Sequence, residues 1–216
     1  MIPYVNIHTH HLSKDDGVFL FNNRFGFDKE LYTKSYFSLG IHPWDSDIDV
    51  SVFEFEKLIQ NKNCIAIGEC GLDKLNGPDL EIQKRVLKFQ LNLAAKYQKP
   101  VIIHCVKAFD EVIEICEPFQ TKIPLIIHGF NKSQQLALDF IEKGFYLSFG
   151  SSVFKKNEFD FKSIPLNKLF LETDTNDTFL IKDIYKMAAQ QFKISEDYLK
   201  EKIYSKFTTL FKKNGR

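Results

Sequence analysis

Six side chains of metal-binding type close short apolar runs in this chain. His8 ends YVNIH, His42 ends FSLGIH, Glu69 ends CIAIGE, His104 ends VIIH, His128 ends LIIH and Asp174 ends KLFLETD. Core packing gives no reason for such residues to terminate one strand-like segment after another. A parallel β-barrel does, because the C-termini of all its strands meet on one face, where loops build the active site. His8 and His10 stand two apart on a presumed strand, so they project to one side and can share an ion, while His11 points elsewhere or starts the loop. Asp174 adds a carboxylate from the last strand, giving the mixed nitrogen and oxygen ligation that Zn²⁺, Mn²⁺ and similar ions accept. His104 and His128, on neighbouring central strands, can hold a second ion, and Glu69 has two oxygens with which to bridge both. A single strand-end histidine is more often a hydrogen-bonded packing residue than a ligand. Six compatible residues in one barrel order are hard to obtain by accident.

The elements that must position these groups are legible in the pattern. From Ser51 onward, segments of helical apolar spacing alternate with short Ile- and Val-rich runs. Helices are expected over SVFEFEKLIQNK, from Pro78 and Asp79 through Tyr97, around Phe109–Cys116, from Ser133 to Lys143 closed by Gly144, and near Lys182–Phe192 and Ser195–Phe211. Eight candidate strands precede or separate them: YVNIH, VFLFNN, YFSLG, CIAIG, VIIH, PLIIH, FYLSF and KLFLE. The pattern predicts an α/β fold, a TIM-type (β/α)8 barrel in one domain spanning residues 1–216. Such barrels typically take about 250 residues. The deficit falls between His11 and Gly40, so the first one or two crossover helices are expected to be reduced or missing.

Composition narrows the setting. Hydrophobic residues at 44% and charged residues at 26% are ordinary for a soluble globular protein. Against 29 Lys+Arg stand 28 Asp+Glu, so the chain offers nucleic acid no global attraction and any affinity for phosphate must be local. The four cysteines form no CxxC pair, and reduced thiols in a cytoplasmic protein are expected. Neither a signal peptide nor an apolar run near the roughly 20 residues of a membrane span is expected. No obligate protein partner is evident.

Several of these segments also carry a family resemblance. IHTHH resembles the opening HxH motif of the TatD family of metal-dependent hydrolases, within the amidohydrolase-like barrel superfamily, and LGIHPW its glycine–hydrophobic–His–Pro segment. AIGECGLD resembles the IGE-x-GLD signature, KPVIIHC and IIHGF the two following His strands, and LETD the closing acidic motif. The resemblance implies a binuclear centre, with His8, His10 and Asp174 on one ion, His104 and His128 on the other, and Glu69 shared. It implies phosphodiester hydrolysis, deoxyribonuclease activity being the family's best-known example, with Glu69 and Asp174 as catalytic residues. The cofactors would be two divalent ions drawn from Zn, Mn, Mg, Ni or Fe, and the substrate DNA or a small phosphodiester, with no membrane partner. His42 resembles a family position near the scissile group and is a candidate substrate-binding residue.

The chain departs from the family pattern at three places. Asn6 stands where aspartate is usual, Cys105, Val106 and Lys107 follow the first central histidine where an arginine and an acidic residue are common, and Thr175 and Asn176 replace Ala-Pro after the acidic motif. Two other readings stay open: a superfamily hydrolase of an ester, lactone, amide or small phosphoester, and a catalytically silent metal-binding barrel serving as an interaction module. Phe130 and Asn131 could position a base, although packing is the readier role for Phe130. Lys107 reads as an ordinary first-turn lysine, and Cys70 and Cys105 as packing residues turned away from the ligands. The pairs Lys155–Lys156 and Lys212–Lys213 read as solvated surface.

Overall fold

A computed structural model describes residues 2–11, 17–26, 35–49, 51–155, 159–176 and 178–211. Eight parallel strands lie side by side in chain order: β1 (Tyr4–Thr9), β2 (Gly17–Arg24), β3 (Phe37–Gly40), β4 (Cys64–Asp73), β5 (Val101–Val106), β6 (Leu125–Ile127), β7 (Tyr146–Phe149) and β8 (Leu169–Leu171). Outside them run α1 (Val52–Ile59), α2 (Leu80–Tyr97), α3 (Phe109–Cys116), α4 (Gln134–Glu142), α5 (Ile181–Phe192) and α6 (Glu196–Phe211). Several of their starts are capped as the sequence dictates. Ser51, Asp79 and Ser133 each accept a hydrogen bond from a backbone N–H of the first helical turn. α2 ends at Gln98, which takes the left-handed conformation two residues before Pro100.

The front of the barrel is trimmed. Residues 10–16 join β1 to β2, and of these 12–16 lie outside the described residues. Among the described residues the first α-helix after β1 is α1, which follows β3. Residues 27–34 of the next connection lie outside the described residues, as do Lys156, Lys212 and Lys213.

Between β8 and β1 the strands meet through one bridge, Thr9 to Asp174. His10 N–H donates to the Asp174 carbonyl and Asp174 N–H to the His8 carbonyl, each at 3.1 Å. Below that bridge, side chains replace the ladder. Asn6, buried, accepts from the Thr173 N–H at 3.2 Å and donates to Thr173 Oγ1 at 2.8 Å. A carboxamide can do both, whereas an ionised carboxylate only accepts, which gives Asn6 a reason to stand where the family has aspartate. The Tyr185 hydroxyl from α5 bonds both the N–H and the carbonyl of Val5 at 3.1 Å.

Two irregularities aim the functional side chains. Ile7 and His8 of β1 oppose Leu20 alone, and Gly68 and Glu69 of β4 oppose Ile102 alone. Such bulges bend a strand and redirect a side chain, and they recur beside active sites. Gly68 has φ +129°, and a Cβ there would lie 2.4 Å from the Ile102 carbonyl oxygen, so the bulge requires glycine. β4 does not stop at Glu69. It continues to Asp73, pairing Gly71 with His104 and Asp73 with Val106.

Candidate metal centre

The structure brings all seven side chains singled out in the sequence to the C-terminal mouth of the barrel. Glu69, buried, is the hub. Its Oε1 lies 2.8 Å from His104 Nδ1, 2.7 Å from His128 Nε2 and 3.3 Å from His42 Nε2. Its Oε2 faces the other way, 3.4 Å from His8 Nε2 and 3.8 Å from His10 Nε2, and accepts from Asn22 Nδ2 at 3.1 Å. Asp174 Oδ1 stands 3.5 Å from both His8 Nε2 and His10 Nε2.

Two carboxylates back the central histidines, and the strand reading did not assign either one. Asp73 Oδ2 faces His104 Nε2 at 3.3 Å, and Glu172 Oε1 faces His128 Nδ1 at 3.4 Å. In a neutral ring, a carboxylate on the far nitrogen holds the proton there and leaves the near nitrogen, the one facing Glu69, with its lone pair. Both residues were legible by the rule that paired His8 with His10. Glu172 is two residues from Asp174, and Asp73 is four from Glu69 on the same strand face. Asp73 is itself fixed by Trp44 Nε1 at 2.7 Å, by Leu75 and Asn76 N–H at 2.8 and 3.1 Å, and by Gln83, whose side chain accepts from the Asp73 N–H and donates to its carbonyl.

His42 is decided by one hydrogen bond. The Trp44 N–H donates to His42 Nδ1 at 3.2 Å, so a neutral His42 carries its proton on Nε2. His42, Glu69 and His104 lie close enough to share an ion. A protonated Nε2, however, is a hydrogen-bond donor and not a ligand, and here it faces Glu69 Oε1 at 3.3 Å.

The electrostatics follow from this crowding. Burial works to raise the Glu69 carboxyl, but His128, His104 and His42 outweigh it and hold the group well below the usual carboxylate range. Burial and His128 press His8 down, yet Asp174 and Glu69 carry it up to about 9. His128 is likewise lifted well above its ordinary value, against burial, by Glu69 and Glu172. His10 goes the other way, to about 4, through burial and the neighbouring His8. Asp174 is brought down to about 2, burial being outweighed by His8 and His128. The site thus draws positive charge into a buried position.

Spacing tests whether that charge can be a metal ion. His8 is fully buried, and neither of its ring nitrogens has a hydrogen-bond partner. An orphaned buried imidazole calls for an explanation. A tetrahedral ion with bonds of about 2.1 Å places its ligand atoms about 3.4 Å apart. That matches the 3.4–3.5 Å separating His8 from Glu69 and Asp174, and His10 from Asp174. His8, His10 and Glu69 form one compact donor group, and His8, His128 and Asp174 another. The donor set fits a divalent cation.

The remaining residues fall elsewhere. Phe130 is buried, edge-on to Phe140 and Phe149, and offers no face to a ligand. Lys107 is exposed and left-handed at φ 53°. Cys70 is buried with its thiol toward the Ile102 carbonyl, and Lys155 lies over the Phe179 ring at 4.5 Å.

A family model described as TatD related DNase matches residues 26–212. The chain is 31% identical over 157 residues to the uncharacterized metal-dependent hydrolase YjjV of Escherichia coli K12, covering 68% of this chain and 61% of that protein. It is also 31% identical over 154 residues to the 3'-5' ssDNA/RNA exonuclease TatD of Citrobacter koseri, covering 67% and 59%. The chain therefore spans about 60% of the length of the curated relatives it matches. The crystal structure of YjjV aligns with a TM-score of 0.82 over 98% of this chain and 99% of that one, at 23% identity. A TatD family hydrolase from Entamoeba histolytica aligns at 0.80 over 97% and 98%, at 15% identity. Likenesses at those identities establish a shared barrel.

Proposed function

The chain belongs to the TatD family, and from that membership we propose that it is a phosphodiesterase acting on nucleic acid, a deoxyribonuclease with two divalent ions at the mouth of one barrel domain, residues 1–216. The observation that carries this reading is the orphaned His8, ringed by Glu69, His10, His128 and Asp174 at ligand spacing. His8, His10 and Asp174 would hold one ion and His104 and His128 the other, with Glu69 shared. When bound, such ions supply Lewis acidity toward a phosphate oxygen and make water a competent nucleophile near neutral pH.

The protein's own groups do the rest. Asp174, ionised and partly exposed, accepts the proton of the attacking water. His42 donates its Nε2 proton to a phosphate oxygen or to the leaving oxygen. Asp73 and Glu172 keep His104 and His128 in the tautomer and orientation that ligation needs. The name of the Citrobacter koseri relative supports a nucleic-acid substrate. The imidazole donors suit zinc, nickel or iron, and the carboxylates would also accept manganese or magnesium. Four unpaired cysteines, with no helix among the described residues long and apolar enough to cross a membrane, support a cytoplasmic setting.

The test is degradation of an end-labelled single strand by metal-stripped protein re-supplied with each divalent ion in turn. At least one ion is expected to restore shortening of the strand. Release of product from carboxyl esters, lactones or amides but not from DNA or RNA would overturn the substrate class. Tight metal uptake with no hydrolysis of any of these would make the barrel a silent binding module.

A further inference from the structure

Trp44 is the chain's sole tryptophan, and 46% of its surface is exposed although its position is fixed on three sides. It lies in the short 3-10 turn Pro43–Asp45 that follows β3. The indole Nε1 donates to Asp73, and the backbone N–H donates to His42. Behind it the β4–α2 connection comes so close that a Cβ on Gly77 would lie 2.9 Å from Trp44 Cα and 2.8 Å from the Pro43 carbonyl oxygen. The ring meets the His42 imidazole edge to face at 4.7 Å and that of His104 at 6.2 Å. Leu75, on the same connection and tied to Asp73 through its N–H, is 63% exposed. A large aromatic side chain is thus held open beside the donor cluster.

The partners of this half-exposed indole fix it without covering it. It has already lost the rotamer freedom that binding would otherwise cost. A flat π surface beside a phosphate-binding centre is of no use to a small aliphatic ester or a bare phosphoester. Resting on the nuclease reading, we infer that Trp44 is the base-stacking subsite for the nucleotide next to the scissile phosphate of a single-stranded nucleic acid. Stacking on an aromatic ring tolerates every base. A base reaches the indole only when it is unstacked from its neighbours, so unpaired strands and frayed ends bind better than duplex interior. Trp44 also positions Asp73, and hence His104, through its N–H.

Because Trp44 is the chain's one tryptophan, its fluorescence reports the subsite directly. The metal-loaded protein is titrated with a short phosphorothioate single strand and with the same strand made abasic. The base-bearing strand is expected to quench the emission saturably, and the abasic strand to bind at least about 5-fold more weakly. In turnover, Trp44→Ala raises KM roughly 5- to 150-fold on the base-bearing strand and much less on the abasic one. Trp44→Phe keeps the low KM but loses the hydrogen bond to Asp73, so its loss appears in kcat. Hydrolysis of the ordinary strand with no base-dependent quenching overturns the subsite and leaves the proposed activity standing. Base-dependent quenching with no hydrolysis under any divalent ion overturns the activity and leaves Trp44 as a base-stacking site of a nucleic-acid-binding barrel. Should Trp44→Ala fail to fold, the wild-type titration and Trp44→Phe still decide.

Discussion

On one side of the site Glu69 meets His104 and His128 at 2.8 and 2.7 Å, whereas on the other His8 and His10 stand 3.4 and 3.8 Å from it. The first side is preorganised: each imidazole is backed by its own carboxylate, and β5 pairs with β6, and β6 with β7, without a register shift. The second side straddles the barrel seam, where β1 and β8 share a single bridge and side chains stand in for the missing ladder. An ion held by His8, His10 and Asp174 would cross that seam. It would therefore close the barrel as well as serve the chemistry, and binding free energy would become folding free energy. One half of the centre is thus built by the fold, while the other half is the one that a bound cation would complete.

The sharpest way to break this contrast is at the residue both sides share. Glu69→Gln is expected to lower turnover by about 10³-fold or more with an unchanged far-ultraviolet dichroism spectrum. Near-normal activity in this variant would mean that Glu69 is not the hub. Asp174→Asn is expected to cost roughly 10²–10³-fold and, unlike Glu69→Gln, to spare the ion held by His104 and His128. Metal content per chain separates the two.

On the preorganised side, Asp73→Asn and Glu172→Gln should each weaken metal affinity or activity by about 10- to 100-fold, read by titration against a chelator. An effect confined to stability, with affinity intact, would remove the orienting role. On the seam side, Asn6→Ala is expected to cost about 1–3 kcal/mol, because it leaves the buried Thr173 N–H without an acceptor. The urea midpoint measures that loss, and bound metal should restore part of it.

The smallest effect is on protons. His8, lifted to about 9, is charged at neutral pH in metal-stripped protein and must give up that proton to ligate. Metal uptake at pH 7 should release protons, and apparent affinity should fall as pH drops below about 9, by up to ten-fold per unit for each proton displaced. The same shift stabilises stripped protein fully below the ordinary value of 6.5, and that contribution disappears as pH rises through about 9. Calorimetric heats that do not change with buffer would contradict the assignment.

Much of this was written in the pattern of residue types. The helix over Phe109–Cys116, the capped starts at Asp79 and Ser133, and the eight strand runs follow from spacing and end signals that act within a few residues. So did the convergence of the seven side chains, because parallel strands in chain order place their ends together. What stayed hidden depends on pairing between distant strands. β4 continues past Glu69 because GLD finds β5 to pair with, and that contact cannot be read from the run CIAIG. The bulges at His8 and Glu69, and the replacement of the β8–β1 ladder by Asn6 and Tyr185, are likewise long-range. The backing by Asp73 and Glu172 was within reach, since period-two logic applies to Glu172 and Asp174 as it does to His8 and His10.

The most direct measurement is a calorimetric titration of metal-stripped protein with Zn²⁺ or Mn²⁺, run beside Glu69→Gln and His8→Ala. Two equivalents bound by the wild-type chain, with both lost in Glu69→Gln and the seam ion alone lost in His8→Ala, is the result expected. No saturable uptake, or equal uptake by all three proteins, would contradict a cation-completed barrel mouth.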